Sequence, residues 1–223
     1  MKKLTIILSL LMVFSFAKAQ DNYESDQIQS IFTRKKSNGG YGAFSLGYAQ
    51  IDGRDALVAG ARGAFIFDHS LAIGLGGFGF VNNLNYRSYY HHEESKYRFT
   101  TTGGYGGILI EPILFGKKPV HLSFPVILGI GGVALVDDHS WDWDWDWEDD
   151  HDYYNYDNDV FFVVEPGIEL EFNLARFFRL AAFASYRFTS ELELYDVTAP
   201  NNRMDPDLLE TFNFGLTFKF GKF

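Results

Sequence analysis

The sequence predicts an all-β protein, a transmembrane antiparallel up-and-down β-barrel of eight strands. Three observations predict it. The chain opens like an exported protein, its apolar residues recur at alternate positions instead of in one long run, and short and long connections alternate between its strands.

The N-terminus reads Met1-Lys2-Lys3, an apolar run from Leu4 to Phe16, then Ala17-Lys18-Ala19. A charged start, a short apolar core and a small-x-small cleavage site form a secretory signal peptide. The apolar run is shorter than the roughly 20 residues a transmembrane helix needs. Cleavage after Ala19 leaves Gln20, with no Cys to carry a lipid anchor. The expected organisation is a signal peptide over 1–19, a periplasmic N-terminal tail over 20–39 and a barrel over 40–223. Ile28, Ile31 and Phe32 give the tail some apolar character, open to a short helix, a partial plug or a flexible strand of chain.

Losing Lys2, Lys3 and Lys18 lowers the 19 basic residues to 16 against 29 acidic ones, a net charge of −13. Nucleic acid is excluded as a partner, since binding it needs basic side chains against phosphates. An exported chain without Cys must draw its stability from regular architecture and not from disulfides. Aromatic residues make up 18% of the chain, and its 22 glycines in 223 residues exceed the average of about 7%. That composition suits a membrane barrel, whose apolar residues are spread over one face of every strand. A secreted β-sandwich is the alternative.

The first strand is expected over 41–51, where Phe44, Leu46 and Tyr48 alternate with Ala43, Ser45, Gly47 and Ala49. Large residues on one face and small ones on the other suit a lipid-facing wall around a tight interior. The turn Asp52-Gly53-Arg54-Asp55 leads to a second strand over 56–67, with Leu57, Phe65 and Phe67 opposed to Gly60, Arg62 and Ala64. A third is expected over 71–81 with a bulge at Gly76-Gly77, where the size pattern changes parity. The fourth, over 97–114, sets Ile108, Ile110 and Leu114 against Tyr105, Leu109 and Glu111. The fifth runs over 120–136, with Leu122, Phe124, Val126, Leu128 and Ile130 on one face. The sixth, over 160–172, opposes Ile168, Leu170 and Phe172 to Glu165, Gly167, Glu169 and Glu171. The seventh, over 177–189, opposes Phe178, Leu180, Tyr186 and Phe188 to Arg179, Ser185 and Arg187. The eighth, over 211–220, carries Phe212, Phe214, Leu216, Phe218 and Phe220 on one parity.

Connections after strands two, four and six are short, and those after three, five and seven are long and polar. Barrels of the bacterial outer membrane have short periplasmic turns and long extracellular loops. An even strand count also leaves both ends of the barrel in the periplasm. A sandwich has no reason to sort loop lengths to alternate ends, and its strands rarely exceed about 10 residues.

The segment Phe214-Gly215-Leu216-Thr217-Phe218-Lys219-Phe220 resembles the C-terminal assembly signal of outer-membrane barrels. The matching residues are Gly215, Leu216, Phe218 and Phe220. Gly221-Lys222-Phe223 runs past the aromatic, so either Phe220 or Phe223 is the terminal docked residue. The whole chain resembles the small OmpA-like and OmpW-like barrels, without a following periplasmic domain. The resemblance implies residence in the outer membrane, insertion by a barrel-assembly machinery, contact with membrane lipid and lipopolysaccharide, and a monomer.

An eight-stranded barrel is just wide enough for side chains to fill it. The expected inward set is Arg62, Glu111, Glu165, Glu169, Glu171, Arg179, Arg187 and Lys219. Opposite charges pair when they are buried together, for example Glu171 with Arg179 across a short turn. This reads as a structural plug, the alternative being a narrow transport path for small apolar solutes. A lipid-modifying enzyme ranks lower. His121 and Ser123 lie about 7 Å apart along one face of a strand, and His91-His92-Glu93-Glu94 lies in a loop, so neither makes a triad. No nucleotide, haem or flavin motif appears, and no cofactor is expected.

The loop between the fifth and sixth strands holds Trp141, Asp142, Trp143, Asp144, Trp145, Asp146, Trp147 and Glu148. In an extended chain the tryptophans share one side and the acids the other. A solvated acidic loop, an interfacial or ligand-binding aromatic surface, and a calcium site are its three readings. It lacks the pattern of an EF-hand loop.

Overall fold

The computed structural model describes residues 38–82, 99–137, 155–195 and 203–223. The signal peptide, the N-terminal tail up to residue 37 and the Trp-Asp run lie outside the described residues. Nine strand segments follow one another: β1 (Asn38–Ile51), β2 (Arg54–Phe67), β3 (Leu71–Val81), β4 (Phe99–Leu114), β5 (Val120–Ser123), β6 (Val126–Asp137), β7 (Asn155–Ala175), β8 (Phe178–Thr189) and β9 (Thr211–Lys222). Each pairs antiparallel with its neighbours, and β1 pairs with β9 to close the ring.

The ring has eight strands because β5 and β6 are halves of one. Ile113 faces Ser123 and Ile110 faces Val126 on the β4 side, while Ser123 faces Glu169 and Val126 faces Pro166 on the β7 side. The register is the same on either side of Phe124-Pro125. Pro125 has no N–H to give the ladder. The gap is still bridged, by Phe124 N–H to the Pro112 carbonyl at 2.9 Å and Gly167 N–H to the Pro125 carbonyl at 2.8 Å.

Short connections collect at one end: residues 68–70, 115–119 and 176–177. The β1–β2 turn at the other end is a tight Asp52-Gly53 pair with φ of 54° and 67°, the left-handed geometry that suits the twist of a hairpin. The short-turn end is periplasmic by the rule for this architecture. The β7–β8 ladder reaches Ala175, so the turn expected over 173–176 shrinks to Arg176-Phe177, with a register shift between Asn173 and Ala175.

The expected bulge at Gly76-Gly77 is absent. β3 pairs without interruption with both β2 and β4, and Ala72, Phe78 and Phe80 all point inward on one parity. What changes there is side-chain size. Ile73 and Leu75 stand outward, and further along Gly77 and Gly79 take the outward places while Phe78 and Phe80 fill the interior. Each ring finds its space over a glycine across the ladder. A Cβ on Gly103 would lie 2.7 Å from the Phe80 ring, and one on Gly60 would run into the Phe78 ring.

The outward face explains where the protein sits. Phe65 is 74% exposed, Leu75 68% and Phe162 71%, and Phe44, Ile108, Leu128, Ile168 and Leu216 stand outward with them around the ring. Contiguous apolar patches on soluble monomers rarely exceed a few hundred Å². A closed wall that is apolar outside and polar inside is stable in a bilayer, because pairing β1 with β9 leaves no open sheet edge facing lipid.

Candidate functional site

The interior is filled in two tiers. The lower one lies toward the short turns. Lys219 of β9 extends its ammonium among three carboxylates, with Nζ 2.5 Å from Glu111 Oε1, 2.7 Å from Glu169 Oε2 and 2.7 Å from Glu171 Oε1. Arg62 Nη2 donates to Glu169 Oε1 and, at 3.3 Å, to Thr217 Oγ1. Arg179 Nη1 donates to Glu171 Oε2 at 3.2 Å. Tyr41 OH donates to Glu111, and Ser123 Oγ donates to Glu169 Oε2 at 3.3 Å. Arg62, Arg179 and Lys219 therefore balance Glu111, Glu169 and Glu171. The three carboxylates approach within 4.8 Å of one another, a spacing that would suit a metal ion. The lysine ammonium occupies that position and supplies the positive charge.

His121 belongs to this tier. Its Nε2 is 3.0 Å from Glu171 Oε2 and 3.2 Å from Arg179 Nη1. His121 and Ser123 are thus engaged with Glu171 and Glu169 respectively, and do not form a nucleophile–base pair with each other.

The upper tier is built around Glu165. It accepts from Tyr105 OH, from Ser185 Oγ at 2.5 Å and from Asn213 Nδ2 at 3.1 Å. Phe78 stacks on Tyr105 with ring centroids 5.8 Å apart. Arg187 places its guanidinium 4.7 Å from the Phe80 ring centroid and 5.4 Å from that of Tyr105. Its Nε donates to the Leu209 carbonyl at 2.9 Å. Between the tiers, Arg62, Glu165, Glu169, Ser185 and Thr217 line a cavity of about 20 Å³, room for one water.

The outer mouth is closed by a feature the sequence reading missed. The segment after β8 was expected as a polar loop. Instead Leu192, Leu194, Leu208 and Leu209 are buried against Ile51, Val58 and Phe80 at the top of the lumen. The segment folds on itself through Leu192 N–H to the Pro206 carbonyl at 3.1 Å and Met204 N–H to the Leu194 carbonyl at 2.9 Å. The β7 carboxylates hold its edge. Asp159 accepts from Glu193 N–H and Asp157 from Tyr195 N–H, each at 2.7 Å.

Parity places the eight expected lumen residues inward, but not the contacts they make. Tyr41, Asn213 and Thr217 were overlooked, although each shares its strand's inward parity; Tyr105 and Ser185 were placed on the inward face but left out of the charge network. In the C-terminal segment, Phe220 stands outward, 4.9 Å from Phe178 between ring centroids. Phe223 turns toward the interior, 3.8 Å from the Arg179 guanidinium carbon. Gly215 faces the lumen beneath the Phe183 ring.

Eight antiparallel ring strands, an apolar belt and a filled, charge-balanced interior define a small transmembrane β-barrel of the outer-membrane class. No protein-family model matches the chain, and no curated protein matches it. Among solved structures it is similar to neisserial surface protein A, with a TM-score of 0.48 and 6% identity over 85% of this chain and 99% of that one. It is also similar to Ail, the attachment invasion locus protein of Yersinia pestis, with a TM-score of 0.46 and 12% identity over 83% and 97%. The N-terminal barrel domain of Pseudomonas aeruginosa OprF has a TM-score of 0.42 and 8% identity over 82% and 96%.

Proposed function

We propose that the protein is a non-enzymatic outer-membrane barrel that serves the cell surface through its external loops, by structure or by binding. The double closure of the lumen carries this reading. The salt-bridged tier around Lys219 fills the lower half, and four buried leucines cover the outer mouth. A path for solutes would need both to open. The long connections leave at the extracellular end, so that end offers the surface for contact. The Trp141–Trp147 run is the first segment to test there, for lipopolysaccharide or a divalent cation held by Asp142, Asp144, Asp146 and Glu148. The C-terminal segment ending in the outward Phe220 is proposed as the mark read during insertion, and the mature protein as a monomer.

Reconstitution into a planar bilayer, with heat-modifiability followed on a gel, tests the reading. The expected result is a heat-shifted band with no conductance steps. Stable steps from the wild-type protein would overturn it in favour of transport.

A further inference from the structure

The periplasmic rim carries a basic ledge, and we infer that it binds the phosphates of anionic glycerophospholipids in the inner leaflet of the outer membrane; this rests on the barrel reading above. The ledge is one continuous arc. The 115–119 turn presents Lys117 and Lys118, the β7–β8 turn presents Arg176, and the end of β9 presents Lys222, all exposed. Backbone and side-chain bonds weld these pieces together. Asn173 N–H donates to the Pro119 carbonyl at 2.8 Å, Asn173 Nδ2 to the Lys118 carbonyl at 2.7 Å, and Gly221 N–H to the Phe177 carbonyl at 2.9 Å.

Apolar side chains stand beside the cations. Phe115 and Phe177 are each 65% exposed and Leu174 59%. Lys118 Nζ lies over the Phe115 ring, 4.6 Å from its centroid, so the ring face holds the ammonium itself. An exposed ring at the rim with a cation held on its face places an aromatic and a positive charge together at headgroup depth, the pairing of an interfacial anchor on an anionic surface. Within the three short turns, Asp68 is the one acid. The opposite rim has the reverse sign: exposed Asp52, Asp55, Glu191, Glu193, Asp205 and Asp207 outnumber the exposed Arg54 and Arg203 there. Phosphates are therefore attracted to one end of the barrel and repelled from the other. This charge complementarity selects an anionic lipid of the inner leaflet over a zwitterionic one, and over the lipopolysaccharide phosphates of the outer leaflet.

The test uses the purified protein in nanodiscs of equal phosphatidylglycerol and phosphatidylcholine, with retained lipids counted by native mass spectrometry. A cation at a membrane surface is worth about fivefold in anionic lipid preference. The wild type should retain phosphatidylglycerol and phosphatidylcholine in a ratio of about five to one. The combined variant Lys117→Gln, Lys118→Gln, Arg176→Gln, Lys222→Gln should keep its heat-shifted band and fall to the bulk ratio. A wild type that enters the disc without lipid preference, or a variant that keeps the preference, overturns the inference alone. So does lipid A, added as a third component, displacing phosphatidylglycerol from the wild type. A protein that never enters nanodiscs overturns the barrel reading and the inference with it.

Discussion

Lys219 on β9 reaches across the lumen to Glu111 on β4, and the ammonium lies 2.5 Å from the carboxylate. The strands are not neighbours in the ring, so this pair spans the interior. Glu169 also has Arg62, and Glu171 also has Arg179. Glu111 has only Tyr41 besides Lys219 among its described contacts. Lys219→Met should leave Glu111 as an uncompensated buried charge and cost about 3–5 kcal/mol. Adding Glu111→Gln should recover part of that loss, because the two positions form one interaction and their effects do not add. Urea unfolding of the single and double variants in detergent micelles measures this. Additive costs would show that the pair is not coupled.

The two closures of the lumen predict a logical pattern in conductance. Leu192→Ser with Leu194→Ser should loosen the outer cap but remain silent in a planar bilayer, since the charged tier still fills the bore. Arg62→Ala with Glu169→Ala should also remain silent under an intact cap. The four substitutions together should give conductance steps. Steps from the cap variant alone would show that the charged tier does not seal.

The periplasmic turn at Asp68-His69 predicts a stability gain. Both residues have left-handed φ, 50° and 55°, where an L side chain crowds its own backbone at a cost of about 1–2 kcal/mol. Glycine removes that cost and returns some of the gain as unfolded-chain entropy. His69→Gly should raise stability by roughly 0.5 kcal/mol in urea unfolding. A lower midpoint would show that the imidazole holds the turn.

Strand positions and facing were legible because the two faces differ in kind: Ile168 and Leu170 alternate with Glu169 and Glu171. The failure at Gly76-Gly77 came from reading size as direction. Phe78 and Phe80 are large and point inward because glycines across the ladder leave room for them. The cap was misread because its leucines lie between acids. Yet Glu191-Leu192-Glu193-Leu194 alternates strictly, with the buried parity shifted by one from β8. Arg62 with Glu169 was beyond reach from the sequence. Pairing β2 with β7 across the bore depends on the relative height of distant strands, which ring closure sets and no local pattern records.

Gly215, within the C-terminal segment, has a packing reason to be glycine, and this predicts a graded result. It faces Gly47 across the β1–β9 ladder, and the Phe183 ring lies over both. A Cβ on Gly215 would run into the Leu46 backbone carbonyl and fall 2.6 Å from Gly47 Cα and 2.7 Å from the Phe183 ring, and one on Gly47 would fall 2.8 Å from the Phe214 carbonyl and 2.9 Å from the same ring. Gly215→Ala should therefore cost about 1–3 kcal/mol through overpacking. Gly42 is the control on the same pair of strands. It points outward, and a Cβ there meets nothing within 4 Å. Gly42→Ala should be neutral or slightly stabilising in urea unfolding, because alanine has less unfolded-state freedom to lose. Phe183→Leu in the Gly215→Ala background should recover only the share of the loss due to the ring, because the contacts with the Leu46 carbonyl and Gly47 Cα remain. If Gly215→Ala is as well tolerated as Gly42→Ala, the glycine is kept for recognition during assembly, and its effect should then appear in insertion yield in cells and not in the unfolding curve.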